Sequence, residues 1–95
     1  MLFIALCTDK PGHLQVRLDT RPDHLAFLKT KGNALKLGGP TTDADGETPT
    51  GSVLIFEDSD LDAAKAWVAG DPYAAAGLFD SVIVRPWKQV IGDPL

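Results

Sequence analysis

The stretch Leu2-Phe3-Ile4-Ala5-Leu6-Cys7-Thr8, closed by Asp9-Lys10-Pro11-Gly12, decides how the rest of the chain is read. A short apolar run ended by a cluster of turn-forming residues is a strand. Side chains alternate across a strand, so Leu2, Ile4 and Leu6 share one face and Phe3, Ala5 and Cys7 the other. Both faces are apolar, and both need cover from helices, another sheet or a second subunit.

Working outward, the period changes after Gly12. Leu14, Leu18, Leu25 and Leu28 recur at helical spacing and predict a helix over 13–31 with these leucines as its core stripe. Pro22 lacks an N–H and restricts Arg21, so a kink, or two helical pieces meeting near Thr20 to Pro22, is expected. Gly32-Asn33 supplies the stop. A weak strand over Ala34 to Leu37 is expected to end at Gly38-Gly39-Pro40, and polar Thr41 to Pro49 reads as a surface loop. Gly51 to Glu57 is a strand centred on Val53-Leu54-Ile55-Phe56. Ser59 or Asp60 can cap a helix through Ala69 that turns Leu61, Ala64, Trp67 and Val68 inward. Asp71-Pro72 has the form of a fresh helix start, with that turn ending at Gly77. Phe79 to Val84 is the last strand, expected to extend past Arg85-Pro86-Trp87 to Val90. The order β-α-β-β-α-(α)-β is that of an α+β, ferredoxin-like split β-α-β domain: an antiparallel sheet with helices on one face. The bare face, and the doubly apolar first strand, point to a second subunit.

Composition agrees with one domain over 1–95, because 95 residues do not fill two cores. Cys7 is the only cysteine, so no internal disulfide can strengthen so small a core, and oligomerisation is the common remedy. A net charge of -4 with scattered basic residues argues against nucleic-acid binding. No apolar run has the roughly 20 residues of a membrane span, and the first residues lack the basic region of a signal peptide, so a cytoplasmic setting is expected.

Groups able to do chemistry are few. His13 and His24 lack metal-ligand spacing, no glycine-rich phosphate loop precedes a helix, and Cys7 on an apolar strand reads as an inert thiol. No metal or cofactor is expected. Arg17, Arg21 and His24 are four and three residues apart, one stripe of a helix, and could line a pocket for an anion. The same spacing fits a half-buried histidine bound to a backbone carbonyl, with solvated arginines. Asp71 likewise has two readings: a helix cap, or a carboxylate that orients a histidine. Nothing in the linear sequence brings Asp71 to His24.

The segment Arg17-x-x-x-Arg21-Pro22-x-His24-Leu25 resembles the helix motif of the YciI-like (YCII-related) family. Gly39-Pro40, Thr50-Gly51-Ser52, Asp71-Pro72-Tyr73-x-x-Ala76-Gly77-Leu78 and Val84-x-Pro86-Trp87 follow in the same order over nearly the whole chain. The resemblance implies a ferredoxin-like fold assembled as a dimeric α+β barrel. It also implies a His-Asp pair in a pocket, matching His24 and Asp71, and relatedness to proteins that dehydrochlorinate aromatic compounds and to the muconolactone isomerase fold.

Two kinds of function then stand side by side. One is a cofactor-independent enzyme that eliminates, isomerises or hydrolyses by proton transfer, because imidazole ordinarily titrates near pH 6.5. There His24 exchanges the proton, Asp71 orients it, Arg17 and Arg21 hold a small anionic substrate, Ser52 adds a hydrogen bond and Tyr73 walls the pocket. The other is a binding or sensing module of the same dimeric fold without turnover. A purely structural domain would leave these residues free to change.

Overall fold

A computed structural model describes residues 1–95. Four strands, β1 (Leu2–Asp9), β2 (Leu35–Thr42), β3 (Pro49–Glu57) and β4 (Phe79–Trp87), form one sheet in the order β2-β3-β1-β4. Every neighbouring pair is antiparallel. Helix α1 (Leu14–Lys29) joins β1 to β2. Helices α2 (Leu61–Ala69) and α3 (Pro72–Ala75) join β3 to β4. This is the ferredoxin-like α+β arrangement of dimeric α+β barrel proteins.

The register explains the core. Phe3, Ala5 and Cys7 of β1 stand opposite Phe56, Leu54 and Ser52 of β3, all on the side facing the helices. Phe3, Ala5, Cys7, Leu54 and Phe56 meet Ala64 and Val68 of α2 in one buried cluster. Asp60 caps α2 by accepting from the Ala63 N–H, as one of the two candidate caps. On the opposite side of the sheet, Leu6 stands between Val53 and Ile83, and Ile4 between Ile55 and Arg85. Leu6, Leu37 and Ile83 are exposed there, and no element of the chain covers them.

Several boundaries and one face differ from expectation. β2 does not stop at Gly38-Gly39-Pro40 but runs through it to Thr42, because β3 pairs with it along that length. β4 ends at Trp87 rather than Val90, and Gln89 folds the tail back on itself by bonding Ile91, Asp93 and Leu95. Of the two forms expected for α1, the single helix with Pro22 inside it is the one present, not two pieces. The larger departure concerns the leucines. Leu14, Leu18 and Leu25 are exposed, and the buried residues of α1 are Arg17 and His24. Leu28 alone of the expected stripe packs on the core, aided by Phe27, which stacks on Trp67 at 5.1 Å. The helix is rotated because its inward-facing polar groups find buried partners, a contribution that an apolar pattern cannot register.

Candidate functional site

His24 and Asp71 are brought together. Asp71 is the residue before α3, and Oδ1 accepts the Tyr73 N–H at 2.9 Å, an N-cap that fixes the carboxylate on a backbone. His24 Nδ1 lies 2.9 Å from both carboxylate oxygens. An ionised carboxylate only accepts, so Nδ1 carries the hydrogen and donates it, which leaves the Nε2 lone pair free in the neutral ring. Nε2 has no protein partner, and no buried side-chain nitrogen or oxygen lacks one. Nε2 is therefore open to the cavity that His24 lines. The His24 ring stacks on Tyr73 with centroids 4.0 Å apart.

That cavity, of about 460 Å³, lies between α1 and the β2–β3 hairpin. Leu18, Leu25 and Leu28 form one apolar wall, and Pro40, Pro49 and Leu54 another. Gly38 keeps its floor open, because a Cβ there would sit 3.1 Å from the Leu54 side chain. The exposed leucines of α1 are thus wall as well as surface.

The remaining expected residues take different places. Arg17 is buried, and its Nε and Nη2 donate to Asp9 at 2.6 and 2.9 Å. Nη2 also donates to Ser52 Oγ at 2.9 Å, and the guanidinium lies 4.5 Å from the Tyr73 ring centre. Burial works against the Arg17 charge, but the hydrogen bonds and charge of Asp9 outweigh it, and its pKa rises above the ordinary value. Its charge is therefore matched within the fold, and Arg17 holds Ser52 and Tyr73 in place instead of offering a free cation. Ser52 and Tyr73 are buried and line the cavity. Burial pushes the Tyr73 phenol above its ordinary value, so it stays neutral. Arg21 is exposed at the cavity edge with no ion-pair partner. Cys7 is buried, and burial, then the negative charge of Asp71, push its thiol up to about 12. That is the inert thiol expected.

Two residues escaped the sequence reading. Asp9 looked like part of a turn, yet it continues the Phe3-Ala5-Cys7 face of β1, an alternation that could have exposed it. Glu47 lay in the loop set aside as surface, and it lines the cavity. No three His, Cys, Asp or Glu side chains converge as a metal-binding group.

The model of the YCII-related domain matches residues 1–88. Protein YciI of Escherichia coli O6:H1 is 40% identical, over 95% of this chain and 99% of its own. A solved structure, 5-chloro-2-hydroxyhydroquinone dehydrochlorinase of Burkholderia phenoliruptrix AC1100 in complex with 2,5-dihydroxybenzoquinone, is 41% identical with a TM-score of 0.89, covering 95% of this chain and 96% of that one. SnoaB, a cofactor-independent oxygenase from Streptomyces nogalater, shares the fold at 12% identity and a TM-score of 0.56, over 97% of this chain and 96% of that one.

Proposed function

The chain belongs to the YCII-related domain family, and from that premise we propose that it is a cofactor-independent enzyme in which His24 and Asp71 move protons on a small hydroxylated or anionic ring compound. The observation that carries this reading is the His24 Nδ1–Asp71 pair at 2.9 Å with Nε2 turned to the cavity. Asp71 fixes the tautomer and stabilises the imidazolium, so Nε2 is the atom that takes up and returns a proton. Arg21 offers an unpaired cation for an oxyanion on the ring. The neutral Tyr73 ring and the leucine wall keep water from one side.

Loss of HX from a halogenated hydroxy ring, the class of reaction named for the Burkholderia relative, suits these parts. Nε2 removes a hydroxyl proton, and a proton is delivered to the carbon that bears the halogen. Halide then leaves as the second hydroxyl proton departs, giving a quinone. The carbon that gains hydrogen is reduced while the ring is oxidised, so no external oxidant is needed.

A homodimer and a cytoplasmic setting belong to the same proposal. The apolar sheet face around Leu6, Leu37 and Ile83 supports the first, and the free thiol of Cys7 suits a reducing compartment.

The test is turnover of a chlorinated hydroxyhydroquinone by wild type, His24→Ala and Asp71→Asn. Asparagine still caps α3, so Asp71→Asn should fold normally while losing the charge that supports the imidazolium. A fall in kcat of roughly 10²–10⁴-fold is expected for His24→Ala, the usual worth of a positioned acid or base. If the wild type binds such rings but turns none over, the non-catalytic binding module is the correct reading.

A further inference from the structure

Four ionisable side chains able to meet a ligand's charge line the cavity: Arg17, Arg21, His24 and Glu47. Arg17 is matched by Asp9, and His24 is held by Asp71. Arg21 and Glu47 line the same cavity without an ion-pair partner in the protein, one positive on α1 and one negative on the β2–β3 loop.

The loop that carries Glu47 is braced from within. Asp45 Oδ1 accepts the Glu47 and Thr48 N–H groups at 2.8 and 2.9 Å, and Asp45 Oδ2 accepts the Thr48 hydroxyl at 2.5 Å. The backbone closes the turn through Asp43 N–H to Thr48 C=O at 2.9 Å, with Gly46 at the positive φ of 74° that such a turn demands. These bonds, the Thr48 hydroxyl first, hold the Asp45 carboxyl below its ordinary value. The Glu47 backbone is therefore fixed beside the cavity.

We infer that Glu47 is a specificity-determining residue, and that with Arg21 it selects a ring presenting a neutral hydroxyl donor beside an acceptor oxygen over one that is anionic on every side. This rests on the cavity being the ligand site proposed above. A carboxylate only accepts and a guanidinium only donates. A phenolic O–H can donate to Glu47 while another ring oxygen accepts from Arg21. A ligand that is negative throughout gains at Arg21 and is repelled at Glu47. Both side chains are exposed in the free protein, where water weakens their fields, and a ring that covers them strengthens both effects.

Glu47→Gln keeps the size and removes the charge. Calorimetric titration at pH 7 uses two probes: 1,2,4-trihydroxybenzene without oxygen, which is neutral, and 2,5-dihydroxybenzoquinone, which is doubly ionised. The variant should bind the neutral probe about 3- to 10-fold more weakly and the dianion more tightly by a similar factor, the net scale of one ordinary hydrogen bond for a group that begins in water. Arg21→Gln should weaken both. If Glu47→Gln moves the two affinities in the same direction, or moves neither while His24→Ala abolishes binding, the role given to Glu47 is wrong and the site stands. If the wild type binds neither probe, the ligand site itself falls, and the role of Glu47 with it.

Discussion

At the scale of single residues, the polar groups inside this protein owe their burial to partners at very different sequence distances. Arg17 meets Asp9 eight positions away, while His24 meets Asp71 at a separation of 47. The first was legible in principle from strand alternation; the second came only through resemblance, because no local rule links a helix residue to a distant cap. Cys7 was legible outright: an apolar strand predicts a buried thiol, and its consequence can be measured. The folded thiol holds its proton up to about pH 12, against an ordinary value of 9.0. The unfolded chain therefore releases that proton first, and the stability Cys7 contributes is fully present below pH 9 and is lost as pH rises toward 12. Cys7→Ala should remove this part of the alkaline decline in denaturant melts. A disulfide reagent at pH 8 should leave the native thiol unmodified and label it after unfolding.

At the scale of elements, strands and turns were the readable part. Period-two alternation and the turn-forming clusters that bound it are local, so β1, β3 and β4 fell close to expectation, and Asp71-Pro72 began α3 as its cap chemistry dictates. Failure was concentrated in β2 and α1. Gly38-Gly39-Pro40 has the composition of a turn, but pairing with β3 overrides it. The leucines of α1 have the spacing of a core stripe, but the cavity claims three of them, Leu18, Leu25 and Leu28, as a wall. Gly51, in the Thr50-Gly51-Ser52 motif, has a structural reason at this scale. A Cβ there would lie 2.3 Å from the Cys7 carbonyl oxygen and 2.7 Å from Thr41 Oγ1. The obstacle is backbone and cannot swing away. Gly51→Ala should destabilise by about 3 kcal/mol, the upper end for overpacking, read as a lower urea midpoint with an unchanged slope.

At the scale of the whole molecule, the sheet has one covered face and one bare one. Leu6, Leu37 and Ile83 are 39%, 54% and 42% exposed on the bare side, a patch that a second sheet would bury. Light scattering at micromolar concentration should give about twice the 10.1 kDa chain mass. Ile83→Lys, in the middle of that face beside Leu6, should lower the mass toward that of one chain while the far-ultraviolet circular dichroism is retained. An unaltered wild-type mass of one chain would refute the pairing.

The rotation of α1 has a further consequence, for ancestry. Because Arg17 and His24 anchor the helix, selection for a folded protein alone would retain them, even in a lineage that no longer performs a reaction. Glu47, Arg21, Leu18 and Leu25 carry no such duty, since all four are exposed. On the proposed function, new substrates can therefore be acquired by exchanging the rim while the interior pair is inherited unchanged, and descendants with the same pair can differ widely in what they accept.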